Sequence, residues 1–259
     1  MIISLPTYLE LEKLEINKMT SWYDLASKHQ KNFELNYLKI NNAYAFKAPG
    51  IADDIFYNRI HLLDKYDTLN KAKSFFNAYN SKWYIDIPCP NINNIPEDLI
   101  ETLNYCGNYE TLIFDLKKNI PEHLSYVDFK KVNIELWNKV CEIFLSDADS
   151  EFRNRFFLLP SLLRSDDWHF YAMYIKGNLV GLGGFYIKNA LSAFSTTYIL
   201  EEHRKQSFHE SLINFRLNIS KEIGAEYVIA QAYENSISYH NLIKCNFSLS
   251  YKSIYLTIK

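Results

Sequence analysis

The chain has 259 residues, 48% hydrophobic and 22% charged, and its 28 basic and 30 acidic side chains leave a net charge of −2. That length holds a substantial core in one or two domains. The charge balance argues against a broad nucleic-acid surface, and no stretch nears the roughly 18 apolar residues that span a bilayer, so neither nucleic acid nor membrane is an expected partner.

In chain order, residues 8–33 have the spacing of a helix and 37–46 that of a strand ending at Pro49-Gly50. A strand at 55–63 precedes a helix opening at Thr68, an N-cap residue type, with Leu69, Ala72, Phe75, Phe76 and Tyr79 on one side. Residues 83–87 read as a strand, Pro96 opens a helix carrying Leu99, Ile100 and Leu103, and 109–116 is another strand. The second half repeats that order. After helices at 133–144 and 150–159, strands at 170–175 and 179–187 form a hairpin through Lys176-Gly177-Asn178, and 191–199 pairs next. A polar and basic turn then opens a helix with Phe208, Leu212, Phe215 and Ile219 on one face, which Gly224 stops. A short strand at 226–231, a helix at 236–245 and an alternating strand at 248–258 close the chain. The repeated order predicts an internal duplication with a boundary near Pro121, dividing 1–121 from 122–259. The expected class is α/β (α+β), a mixed sheet flanked by helices in two tandem halves.

Cys89, Cys106, Cys141 and Cys245 are widely spaced with no Cys-x-x-Cys pair. No metal site or disulfide framework is expected, and a reducing cytoplasm fits best. The start of the chain lacks the basic and apolar regions of an export signal. The 20 Tyr and 17 Phe read as core material in preference to a stacking platform. Gly181-Leu182-Gly183-Gly184 lies within a strand pattern and no Gly-Lys-Ser/Thr follows, so it signals close backbone approach and not a nucleotide loop.

The strand, turn, helix and strand over 191–231 form a crossover unit, whose helix start points free N–H groups and a positive dipole end forward, as an anion site does. The turn Arg204-Lys205-Gln206-Ser207-Phe208-His209, with Asn235 ahead of a later helix ending Asn246-Phe247, resembles the GNAT superfamily of N-acetyltransferases over residues 168–259. In that family the turn reads Q/R-x-x-G-x-G/A; Arg204 matches, while Ser207 and His209 replace the glycines. Asn235, Lys244 and Phe247 match the second motif, whereas Leu242 stands at the place of the family's tyrosine acid and Asn246 at that of its glycine, a position asparagine tolerates.

The resemblance implies acetyl-CoA as co-substrate and no metal. Arg204, Lys205, Gln206, Ser207, Phe208 and His209 would hold its pyrophosphate, and the backbones of Thr197 and Ile199 its pantetheine arm, with the Ile199 N–H toward the thioester carbonyl. The acceptor would be an amine of a small molecule or peptide. The alternative is a binding or regulatory protein on the same scaffold without catalysis, which loss of both glycines and the tyrosine favours. The first half is expected to be a degraded GNAT-like copy that binds no cofactor, because its turn at 63–68 carries Asp64 and Asp67 where phosphate needs positive potential.

Individual side chains keep two readings each. Asn235 either caps the following helix at Ser238 or orients the pantetheine. Tyr239, three residues before Leu242, is either core or the proton donor to the departing thiolate, with Ser238 as the second candidate for that role. His209 pairs with phosphate, caps the helix or is exposed. No glutamate lies in 191–198, so a base falls to water or to Asp147, Asp149 or Glu151, a trio that also fits a solvated helix end.

Overall fold

Thr7 opens the first helix, α1 (Tyr8–His29), with a capping box: its hydroxyl accepts from the Glu10 N–H, and the Glu10 carboxylate accepts from the Thr7 N–H. The structure, a computed structural model, describes residues 5–51, 54–61, 66–77, 82–90, 97, 101–147 and 150–258. β1 (Asn36–Ile40) and β2 (Ala43–Lys47) form a hairpin. The single strand expected over 37–46 is therefore two, because Asn41 takes a φ of 56° and reverses the chain. β3 (Arg59–His61), α2 (Tyr66–Phe76), β4 (Tyr84–Pro88) and β5 (Leu103–Asp115) follow.

β3 is shorter than the strand expected at 55–63, since the Tyr57 and Asn58 N–H groups turn back to the Asp54 carbonyl. Thr68 lies inside α2 and does not begin it. Leu103, expected on a helix, opens β5. Residues 63–65, including Asp64, and most of the helix expected from Pro96 lie outside the described residues.

The second half runs β6 (Val127–Lys131), α3 (Ile134–Asp147), α4 (Ser150–Leu162), β7 (Trp168–Ile175), β8 (Asn178–Lys188), β9 (Leu191–Ile199), α5 (Phe208–Glu222), β10 (Tyr227–Tyr233), α6 (Ile237–Lys244) and β11 (Ser248–Ile258). β6 was not expected from periodicity. Its five residues bury only Val127, too little alternation to register. α5 and α6 end alike: Gly224 (φ 95°) and Asn246 (φ 66°) sit in the left-handed conformation, and the N–H groups of Ala225 and Phe247 reach back to Ser220 and Leu242.

All eleven strands join one sheet in the order β1-β2-β3-β4-β11-β5-β10-β9-β8-β7-β6. The order reads alike from β1 and from β7. Two hairpin-type pairings lead to one parallel pair, β3 with β4 and β9 with β10, and every other pairing is antiparallel. The last strand of each half crosses over, so β5 lies between β11 and β10, and β11 between β4 and β5. One sheet runs across the boundary expected at Pro121.

Six helices among the described residues flank this sheet. α1 and α4 cover one face over Leu182 and Ala193, and α5 and α6 cover the other over Phe185 and Val228. The glycine run allows close contact with the neighbouring strand and with the helix layer. A Cβ on Gly184 would lie 2.3 Å from the Phe170 ring, and one on Gly183 3.0 Å from Leu212.

Candidate functional site

β9 and β10 pair only at Leu191 with Tyr227, Ser192 with Val228 and Ala193 with Ile229, and then part. Along the open stretch β9 stays attached to β8. The Leu200 N–H donates to the Val180 carbonyl at 3.0 Å, which makes Ile199 with Gly181 and Thr197 with Gly183 the non-hydrogen-bonded pairs. The backbone N–H groups of Thr197 and Ile199 consequently point into the gap toward β10. A cleft of about 370 Å³ occupies that gap.

One wall comes from α5 and α6, through His209, Arg216, Ser238 and Leu242. The other comes from the first half and α1, through Glu15, Lys18, Trp22, Tyr57 and Tyr109, with Gln231 reaching in from β10. Ser238 and Leu242 share a helical face because they are four residues apart. Tyr239 lies outside the cleft lining; its ring packs beside His240 and against the cluster around Leu242 and Phe247.

The turn before α5 is held by its own residues. Arg204 folds back, with its Nε donating to the Ile199 carbonyl at 3.1 Å and its guanidinium over the Tyr198 ring. Lys205 (φ 64°) and Ser207 (φ 58°) are left-handed, so Ser207 adopts a glycine-type conformation at a position where the resemblance implies glycine. No side chain caps α5, which leaves its first-turn amides without that partner. Lys205, Gln206 and Ser207 are exposed, whereas Phe208 is buried against Leu212 and Ile199.

His209 turns inward. Asn241 Nδ2 donates to His209 Nδ1 at 2.8 Å, so the ring proton is on Nε2. Burial, aided by the nearby Arg216 charge, pushes the His209 pKa down to about 4, leaving the ring neutral at pH 7. Arg216 itself is 1% exposed. It donates from Nε to Leu212 O at 3.3 Å and from Nη1 to Gly184 O at 3.1 Å, and stacks 4.0 Å from the Phe194 ring. Among the described residues no carboxylate pairs with it, and burial lowers its pKa to about 9.

Ahead of α6 the cap differs from the expectation. Ser236 is the N-cap, its Oγ accepting from the Tyr239 N–H at 3.1 Å, while Asn235 takes a φ of 60° in the preceding turn. Asn235 is one residue too early, and its left-handed backbone suits an asparagine for that reason alone.

The opposite wall rests on buried charges. Glu15 meets Lys18 at 2.5 Å and Arg59 at 3.1 Å, Arg59 meets Asp86 at 3.2 Å, and His61 sits between Asp86, at 2.6 Å, and Glu12. Burial opposes ionisation of Glu15, but Lys18 and Arg59 prevail and hold its carboxyl below the usual range. His61 is likewise penalised by burial and then raised to about 10 by Glu12 and Asp86, so it is a cation at pH 7. Asp149 and the side chains of Asp147 and Glu151 lie outside the described residues.

No family model matches the chain, and no curated protein does either. Solved structures do. A GCN5-related N-acetyltransferase from Kribbella flavida superposes with a TM-score of 0.63 at 13% identity, covering 91% of this chain and 95% of its own. An acetyltransferase of the GNAT family from Colwellia psychrerythraea gives 0.55 at 10% identity, covering 95% and 96%. A tandem GNAT protein from the clavulanic acid biosynthesis pathway gives 0.52 at 12%, covering 74% and 68%. This chain has the GNAT fold. The likeness runs through both halves, so the GNAT fold here includes the first half as well as the 168–259 segment that carries the motifs. Among the described residues no helix is long and apolar enough to cross a membrane, and no group of three or more His, Cys, Asp or Glu gathers as a metal site.

Arg216 and the α1 residues were missed as site residues. Arg216 had a legible signal: it lies eight residues after Phe208 and four after Leu212, a charged side chain in line with the buried face of α5. That face runs through Phe208, Leu212, Ile213, Arg216 and Leu217, a stripe rotated from the expected one through Phe215, which is only partly buried and stacks 3.8 Å from the Phe129 ring. Glu12, Glu15 and Lys18 give the same kind of signal on α1, recurring every three residues among its buried positions.

Proposed function

We propose that the protein is an N-acetyltransferase that moves an acetyl group from acetyl-CoA to an amine of a small molecule or peptide. The observation that carries this reading is the parting of β9 and β10, which leaves the Thr197 N–H facing a cleft that the two halves share and the Ile199 N–H on the same open strand edge. An amide-bearing pantetheine arm suits such an open strand edge as an added strand would. The uncapped start of α5 suits its pyrophosphate, with the exposed Lys205, Gln206 and Ser207 around it and positive φ at Lys205 and Ser207 opening the approach.

Acetyl-CoA supplies an activated acyl carbon and a thiolate leaving group. The amine nitrogen bonds to that carbon as the C–S bond breaks, and the proton shed by the amine ends on the thiol. The Thr197 and Ile199 N–H groups are the candidate donors to the oxyanion. Ser238, whose side chain lines the cleft, is a stronger candidate than Tyr239 for passing a proton to the thiolate. Glu15, kept ionised by Lys18 and Arg59, puts a charged but already paired carboxylate on the opposite wall, where an acceptor would enter.

Thermal melts with CoA and acetyl-CoA test the reading. At about 100 times the dissociation constant a ligand adds roughly 2.7 kcal/mol, which raises the melting temperature by about 5 to 10 °C for a chain of this size. No shift at millimolar CoA defeats it. In thiol-release assays with an amine panel, Ser238→Ala should slow turnover with CoA affinity little changed, and Tyr239→Phe should not. A second reading, a binding protein on the same scaffold, is favoured by the apolar Leu242 in the cleft. It predicts the thermal shift without thiol release.

A further inference from the structure

Arg216 is a fully buried guanidinium in the cleft wall, and it lacks what buried charges ordinarily have. Its Nε and Nη1 reach backbone carbonyls, and among the described residues no carboxylate is paired with it. Taking such a cation out of water is costly unless an anion meets it. Beside it stands His209, neutral, with its proton on Nε2 because Nδ1 accepts from Asn241. Both residues line one cleft, whose apolar lining includes Phe194, over which Arg216 stacks, together with Leu242 and Ala230. An acetyl group has no charge to offer them. The opposite wall pairs its own cations, Lys18 with Glu15 and Arg59 with Glu15 and Asp86, whereas Arg216 on the α5 side meets no carboxylate among the described residues.

We infer that the cleft selects an acyl donor bearing a terminal carboxylate, a dicarboxylic acyl-CoA, with Arg216 as the specificity-determining residue and His209 as its second donor. This rests on the CoA-thioester part of the reading above and replaces its acetyl group with a dicarboxylic one. The carboxylate meets the guanidinium in a charge-assisted pair inside a low-dielectric site, where such pairs discriminate strongly. It also accounts for the histidine: a bound anion offsets the Arg216 charge that helps keep the ring neutral.

The test is calorimetric titration of the full chain with succinyl-CoA and with butyryl-CoA, a neutral acyl donor of the same chain length. Succinyl-CoA should bind about tenfold to a hundredfold more tightly. In Arg216→Leu that preference should vanish, the two donors binding with equal affinity. Equal affinities in the natural protein, or a preference that survives in Arg216→Leu, overturn the inference but leave the acyl-CoA reading standing. Failure of every CoA thioester to bind overturns both. Slower thiol release from acetyl-CoA in Arg216→Leu, without any succinyl preference, assigns Arg216 to the leaving thiolate and also overturns it. A readout that needs no variant is the His209 titration followed by NMR. It should move upward with succinyl-CoA and stay put with butyryl-CoA, and no difference between the two counts against the inference.

Discussion

Arg59 in the first half and Arg216 in the second are equally removed from water, at 0% and 1% exposure, yet their surroundings are opposite. Arg59 donates to Tyr255 at 2.6 Å and meets Glu15 and Asp86 at 3.1 and 3.2 Å. Burial works against its charge, but Tyr255 and the carboxylates more than offset it and hold the group above its ordinary pKa. Arg216 meets only carbonyls and a ring, and its pKa falls to about 9. Burial alone therefore does not say what a charge is for; its counter-charges do. Arg59 ties α1 to the sheet, while the second charge waits on something outside the chain.

Removing each arginine is the sharpest way to break this comparison. Arg59→Met leaves Glu15 with Lys18 alone and Asp86 with His61 alone, breaking a buried ion-pair network, and should cost about 3 to 5 kcal/mol in urea unfolding. Arg216→Met removes a charge with no acid partner, and should be neutral to about 1 kcal/mol stabilising. Equal losses in the two variants would mean that both arginines are structural.

Histidines beside the two arginines extend the contrast to pH. His61, raised from 6.5 to about 10, contributes stability that is complete below about pH 6.5 and is lost as pH climbs through 10. His209, lowered from 6.5 to about 4, does the reverse: its contribution is present above 6.5 and is lost as pH falls toward 4. His61→Gln should flatten the alkaline limb of a stability profile, and His209→Gln the acid limb. An unchanged limb in either variant removes that histidine from the account.

The smallest effect separates the two residues ahead of α6. Ser236→Ala deletes the observed cap and should cost about 1 kcal/mol in thermal melts. Asn235→Gly keeps a residue that accepts a φ of 60°, and should change stability by less than that. A larger loss at Asn235 would assign its side chain a contact of its own.

Much of the fold was legible because its signals are local. The order of strands and helices in the second half, the helix stop at Gly224, the left-handed Asn246 and the close-approach reading of Gly183-Gly184 all rest on periodicity or on backbone freedom within a few residues. The GNAT resemblance, carried by the 204–209 turn and the Asn235 to Phe247 stretch, is matched by the fold of solved structures. Local signals also misled where two neighbours compete for one role, as Asn235 and Ser236 do for the cap, and where a single asparagine splits one apparent strand into the β1–β2 hairpin.

The sequence by itself determined the α/β class, the repeated order of elements and the place of the polar turn that opens α5. Only the tertiary structure decided that the last strands of the halves change places, that α1 walls the cleft, and which buried arginine finds acids. Arg59 meets Glu15 from 44 residues away and Tyr255 from 196. Such pairings depend on how the sheet closes on itself, and no window of neighbouring residues contains that information.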